Sequence, residues 1–176
     1  VRTLGIDARR ESAAADRAIA AASLFQSPEL DRPLAEFDDY HWLIGDEADR
    51  VLEALDDDPR PLHQKIRDLR KTISTTRAQL ATQQWELRRR GSAKFGSAAR
   101  VMFFLPQALE QATDVWTARY KAARFPPRRR AADYCTGVGG DLCGLAERRP
   151  TVGCERDRVT ALLAEENARR WPGIVG

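Results

Sequence analysis

The stretch Asp133-Tyr-Cys-Thr-Gly137-Val-Gly139-Gly140-Asp141, followed by Glu155, holds the residues of this 176-residue chain whose types and spacing could do chemistry. A strand that turns into a helix through glycines lets the backbone approach a ligand closely, because glycine tolerates positive φ and presents no Cβ. Glu155 lies 18 residues after Gly137, at the end of the next expected strand. A carboxylate there can accept hydrogen bonds from a ribose diol, so the pattern implies a ligand that contains a nucleoside. A glycine turn with a purely structural role would explain neither Asp133 nor Glu155.

Two classes of nucleoside cofactor fit that description. The dinucleotide fingerprint G-x-G-x-x-G needs glycine at 137, 139 and 142, but position 142 is Leu and Gly144 comes two residues late. A pyrophosphate would also be poorly served between Asp133 and Asp141. S-adenosylmethionine has no phosphate and carries an ammonium and a sulfonium that acidic groups can face, so it suits the turn better. Asp141 either contributes to the site or caps the helix that opens at Gly140.

Elements of the right kind flank this turn. Residues 131–135 read as a short strand, 140–148 as a helix, 151–155 as a second strand and 157–170 as another helix, a βαβα run that begins a parallel α/β sheet. Upstream the chain reads as helical. The Ala-rich stretch 7–25 favours a helix, and residues 46–56 form a second, short one. Ile66, Ile73, Leu80 and Leu87 recur every seven residues, with Leu62 and Leu69 offset by four, which predicts one long helix over about 61–90. Arg88-Arg89-Arg90-Gly91 would end it, with Gly91 just past its C-terminus. Pro106 opens a further helical segment that stops at Pro126-Pro127. The expected division is a helical region over 1–125 and a Rossmann-like unit over 126–176.

Charge is distributed unevenly beneath a net +3. Residues 1–60 hold 7 basic and 15 acidic side chains, residues 61–130 hold 16 and 4, and residues 131–176 hold 6 and 7. Arg outnumbers Lys by 25 to 4, and guanidinium pairs well with phosphate. The basic middle, with Arg88–Arg90, Arg128–Arg130 and the aromatics Trp85, Phe95, Trp116 and Tyr120, suits an RNA backbone with bases stacked nearby. The bland alternative is a solvated helix face that neutralises the acidic first third. Apolar runs such as Val101–Leu105 fall far short of a membrane span. The first residues contain no secretory h-region. Cys135, Cys143 and Cys154 match neither a disulfide framework nor a zinc site. A reduced cytoplasm with no metal is the expectation.

Asp133 to Asp141 resembles motif I of the class I methyltransferases, in the form found in trimethylguanosine-synthase-like enzymes and in bacterial methyltransferases with a THUMP-like domain. Lys94-Phe95, the run Met102-Phe-Phe-Leu-Pro106-Gln-Ala-Leu-Glu-Gln-Ala-Thr113 and the basic helix Arg119–Phe125 are similar to upstream segments of that family. Glu155-Arg156-Asp157 and Glu166-Asn167-Ala168 are similar to downstream ones, so the resemblance covers about residues 75–170. Leu105 stands where the family usually has Thr, and Gln107-Ala108 replaces an Asp-Gly type of pair.

The resemblance implies an S-adenosylmethionine-dependent methyltransferase, with cofactor contacts at Asp133, Cys135, Gly137, Val138, Gly139, Asp141, Glu155 and Arg156. It implies Asp133 on the ammonium, the backbone of Gly137, Val138 and Gly139 in close approach, Glu155 on the ribose, and Arg156 or Asp157 beside the adenine. Such enzymes place methyl-transfer residues at the end of the fourth strand, as an Asn/Asp-Pro-Pro-aromatic motif. Each βα unit takes about 30 residues, and only 35 follow Asp141. The expectation is therefore the cofactor-binding half of a larger domain, with catalytic residues unassigned and the chain inactive alone. A helical interaction module that no longer methylates is the alternative.

Overall fold

The computed structural model of the chain describes residues 2–5, 34–126 and 129–172. The helix expected over 7–25, and Pro127 and Arg128 of the basic cluster, lie outside them. In chain order the described elements begin with β1 (Arg2–Gly5), α1 (Leu34–Leu43) and α2 (Asp46–Asp57). Ala48, Leu52 and Leu55 are the buried residues of α2, spaced to lie on one face. Its first turn carries Asp46, Glu47 and Asp49, which favour the positive end of the helix dipole.

The single helix expected over 61–90 is two helices, α3 (Leu62–Leu69) and α4 (Thr75–Phe95). The break falls at Arg70–Ser74, where hydroxyl side chains compete with the helical ladder. The Thr72 hydroxyl donates to Leu69 O at 3.0 Å, and Ser74 caps α4 by accepting from Arg77 N at 3.2 Å. Gly91 does not end the helix either. It is buried inside α4, where a Cβ would meet the Phe104 ring at 2.9 Å. The end comes at Gly96, with φ +57. The basic triplet is therefore mid-helix, and Gly91 serves packing.

After a 3₁₀ turn (Gly96–Arg100) the apolar run Met102-Phe103-Phe104 is fully enclosed and its backbone is served by side chains. Asn167 Oδ1 accepts from Phe103 N at 2.6 Å, and its amide donates to Phe103 O and Val138 O, both at 2.8 Å. Gln84 accepts from Phe104 N at 3.1 Å. Two amide side chains thus give this buried strip the partners that a neighbouring strand would otherwise supply. Next come α5 (Pro106–Gln111), with Pro at its first position, and α6 (Val115–Ala123), capped by Asp114. The helical segment expected to run from Pro106 to Pro126 is therefore interrupted at residues 112–114, where the Asp114 side chain starts a new helix.

The second half follows the expected βαβα order: β2 (Ala131–Tyr134), α7 (Gly140–Ala146), β3 (Thr151–Glu155) and α8 (Arg158–Arg170). β2 and β3 are parallel, with Ala131 opposite Thr151 and Tyr134 opposite Cys154. β1 was not expected. It pairs antiparallel with the other edge of β3, with Arg2 opposite Glu155, giving the order β1-β3-β2. Four residues are too few to show a strand period in sequence.

The chain is thus mixed α/β, with most of its mass in helices. Its hydrophobic core crosses position 125 without interruption. Leu87, Phe95, Met102 and Phe104 share one cluster with Val138, Leu142, Ala161 and Trp171, and Leu43, Leu52 and Phe103 share another with Val159 and Leu163. Arg170 adds a polar tie, bonding Asp49 through two 2.8 Å contacts and Ile44 O at 2.8 Å. Among the described residues no helix is long and apolar enough to cross a membrane.

Candidate cofactor site

The turn between β2 and α7 is built by local hydrogen bonds. Thr136 N donates to Cys154 O at 3.2 Å and its hydroxyl to Asp133 O at 2.8 Å, while Gly139 N donates to Thr136 O at 3.0 Å. Two of its glycines take positive φ, Gly137 at +58 and Gly139 at +91. Cys135 is the one non-glycine with positive φ among the described residues, at +59. It is exposed beside the turn, in a conformation that costs about 1 kcal/mol or more.

The glycines divide their roles. A Cβ on Gly137 would meet nothing within 4 Å, so its free face is open space. A Cβ on Gly140 would lie 2.6 Å from Thr113 O, so this glycine lets α7 sit against the α5–α6 connection. Leu142, where a dinucleotide fingerprint needs glycine, is fully buried in the core.

The open side of the turn faces a cleft of about 720 Å³, within the usual size of small-molecule sites. Asp133, Cys135, Gly137, Val138, Asp141, Glu155 and Arg156 all line it, so seven of the eight expected contact residues share one cavity. Gly139 is the exception; it is buried against Ala164. The far wall is made by Tyr40, Gln83 and residues 105–108 and 111–113. The valine side chain at 138 belongs to the core, and only its backbone is on offer to a ligand.

Asp133 carries the main electrostatic signal. Its Oδ2 is buried and has no hydrogen-bond partner. Burial, and secondly the nearby Asp141 carboxylate, push its pKa from 3.8 up to about 6, although Thr136, Lys121 and Leu142 pull it part of the way back. At neutral pH this is a charged carboxylate oxygen with nothing to bond, which is costly unless a donor arrives.

Asp141 is already engaged. Lys121 Nζ lies 2.8 and 3.1 Å from its two oxygens, and the Thr113 hydroxyl donates to it at 2.8 Å. It does not cap α7, whose N-cap is Gly139 with no side-chain bond. Its role is to hold α6 and the loop at Thr113 against the turn.

Glu155 is also partly committed. Oε2 accepts from Gly137 N at 3.0 Å, and Oε1 accepts from Arg156 N at 2.7 Å and Asp157 N at 3.1 Å. A carboxylate has about four acceptor sites, so one site on Oε2 remains for a hydroxyl. Binding both hydroxyls of a diol would exchange the Gly137 bond for a ligand bond. Asp157, expected near the adenine, caps α8 by accepting from Thr160 N at 2.8 Å.

No protein-family model, curated protein or solved structure matches this chain. The likeness to class I methyltransferases therefore rests on the quoted residues themselves.

Two residues missed in the sequence help to form the site. Lys121 neutralises Asp141, and Lys94 donates to Leu109 O, Glu110 O and Ala112 O at 2.7–2.9 Å, closing the C-terminus of α5 beside the cleft. A signal existed. In a chain with 25 Arg and 4 Lys, a lysine marks a place where a compact ammonium suits converging oxygens better than a planar fork.

The basic middle needs correction. Phe95 is buried, and Trp85 is flanked by Lys65 at 4.7 Å and Arg89 at 4.8 Å, so neither ring is free to stack on a base. Arg88 is largely buried, donating to Met102 O at 2.9 Å. Arg77 pairs with Asp39, Arg90 with Glu110 and Arg119 with Glu147. Much of the positive segment thus serves internal neutralisation, part of it against the acidic first third. Trp116 and Tyr120 remain exposed, as do Arg124, Arg129 and Arg130.

Proposed function

We propose that this chain binds S-adenosylmethionine in the cleft above the Gly137 turn and forms the cofactor-binding part of a methyltransferase. The observation that carries this reading is the buried, unpartnered Oδ2 of Asp133 beside an open glycine backbone. A ligand with an ammonium and a nucleoside satisfies both halves of the site. A dinucleotide would bring its pyrophosphate toward Asp133 and Asp141. When bound, S-adenosylmethionine supplies an electrophilic methyl group on its sulfonium.

The chain's own residues hold and orient. Asp133 accepts from the ammonium and loses its unsatisfied state. Gly137 leaves space for close approach, and Glu155 receives a ribose hydroxyl on its remaining site. Lys121 keeps Asp141 neutralised, so that the cleft presents one unpaired carboxylate rather than two. Positioning is the main term that a methyl transfer asks of a protein, because nucleophile and sulfonium must be held in line. The residues that would align the acceptor atom with the methyl group are not assigned in this chain.

RNA is the acceptor we favour, on the strength of the exposed Trp116, Tyr120, Arg124, Arg129 and Arg130. Titration calorimetry with S-adenosylhomocysteine tests the cofactor reading. Saturable heat with the native chain, and at least tenfold weaker binding by Glu155→Ala, are expected. No heat from a folded native chain would overturn it.

A further inference from the structure

Among the described residues, the outward face of α6 carries the two most exposed large hydrophobic side chains. Ala118 and Ala122 bury the inner face of the helix against α7, where a Cβ on Gly144 would already touch Ala118 at 2.9 Å. Trp116 and Tyr120, four residues apart, point the other way and are 76% and 66% exposed. Side chains at i and i+4 share one face, about 6 Å apart along the axis. A tryptophan and a tyrosine left this open are a cost to a molecule that must stay in solution, so they call for an occupant.

The surroundings say what kind. Arg124 lies 5.9 Å from the Tyr120 ring, and Arg129 and Arg130 are exposed on the connection that follows. The carboxylates nearest the flanks of α6 are cancelled. Glu147 is held by Arg119 at 2.9 Å and Asp141 by Lys121 at 2.8 Å. Asp114 is turned onto the backbone amides of Trp116 and Thr117. What remains, among the described residues, is two exposed aromatic rings, one of them beside the Arg124 guanidinium, with the neighbouring carboxylates Glu147, Asp141 and Asp114 already engaged.

Buried Arg149 donates to Ala122 O at 2.7 Å and Pro126 O at 2.8 Å, which anchors the end of α6 and the start of the arginine-bearing connection. Stacking platforms bordered by cations are the means by which proteins bind unpaired nucleic acid strands, since every base offers a π-face and every nucleotide a phosphate. The exposed charges on and after this helix, Arg124, Arg129 and Arg130, are all positive, which suits the continuous negative charge of a nucleic-acid backbone.

We infer that the outer face of α6, with Trp116 and Tyr120 stacking bases and Arg124, Arg129 and Arg130 meeting phosphates, is a docking surface for single-stranded RNA. The choice of RNA rests on the proposed function; the platform itself rests on the helix. The same helix carries Lys121, which pairs with Asp141 on the wall of the cofactor cleft, so the proposed platform and the cleft share one helix.

Fluorescence anisotropy of the full chain with a labelled, unstructured RNA of about 12 nucleotides tests this, run beside the same RNA as a duplex and the same sequence as DNA. Single-stranded RNA is expected to bind best, with a log–log salt slope of about −2 for three phosphate contacts. Trp116→Ala and Tyr120→Ala are each expected to weaken binding about tenfold at unchanged melting temperature, and Trp116→Phe to stay within about threefold of native. Native-like binding by both alanine variants, equal or tighter binding of the duplex or of DNA, or no RNA binding at all would each overturn the proposal. S-adenosylhomocysteine calorimetry on the same variants separates the two readings. Cofactor heat without RNA binding removes only the platform, and RNA binding without cofactor heat removes only the cofactor assignment.

Discussion

Asp133→Asn gives opposite results for stability and for ligand binding if Asp133 awaits a cation. Its carboxyl is raised from 3.8 to about 6, chiefly by burial and then by Asp141. Between those values the folded protein keeps a proton that the unfolded chain releases. Stability therefore falls as pH rises through that window and is level above it. The interval corresponds to about 3 kcal/mol for a fully buried group, and partial exposure reduces it to about 1–2 kcal/mol. Asp133→Asn, which carries no charge, is expected to be more stable than native by that amount at pH 7.5 and nearly equal to it at pH 4. Urea unfolding at several pH values measures the difference. In the same variant S-adenosylhomocysteine binding should be lost, and native affinity should be about tenfold weaker at pH 5 than at pH 7.5, since only about a tenth of Asp133 is then ionised. A variant that is less stable at pH 7.5, or that binds normally, would refute the reasoning.

Three further substitutions probe the scaffold. Asn167→Ala removes three buried hydrogen bonds to Phe103 and Val138 and should cost about 3 kcal/mol in urea unfolding, with the Met102–Phe104 strip losing amide-exchange protection. Gly140→Ala sets a methyl group 2.6 Å from Thr113 O; a loss of about 1–3 kcal/mol is expected, together with weaker cofactor binding as Thr113 and Asp141 separate. Lys121→Met removes a half-exposed ion pair with Asp141, worth under about 1 kcal/mol. Because Lys121 also lowers the Asp133 pKa, the midpoint of the pH dependence of cofactor binding should move upward, which calorimetry across pH 5–8 would detect.

The parts of the fold legible in the sequence are those governed by local rules. The turn through Gly137 and Gly139, the short strands on either side and the helix opened by Pro106 follow from backbone freedom and ring constraint alone. The joint at residues 70–74 was hidden because Ile66 and Ile73 keep their seven-residue spacing across it, while the hydroxyls of Thr72 and Ser74 make a local break that the apolar pattern does not show. Gly91 misled for a related reason. A glycine after basic residues has the form of a helix end, and only the Phe104 ring packed on it reveals another purpose. At the site, sequence could bring Asp133, Gly137 and Glu155 together, since they belong to one βαβ unit. Lys121 and Thr113 come from another helix and a loop, so their meeting with Asp141 depends on packing that no spacing rule expresses. The charge of the basic middle was legible as a total. Its internal use, with Arg77 on Asp39 and Arg88 on Met102 O, was not.

The most direct test of the cofactor assignment is an amide nitrogen–proton NMR titration of the chain with S-adenosylhomocysteine. Saturable shifts are expected at Gly137, Val138, Gly139, Glu155 and Arg156, with the amide of Gly137 changing most as its bond to Glu155 is exchanged. Unmoved Gly137 and Glu155 signals at saturating ligand, or shifts confined to another surface, would contradict the assignment.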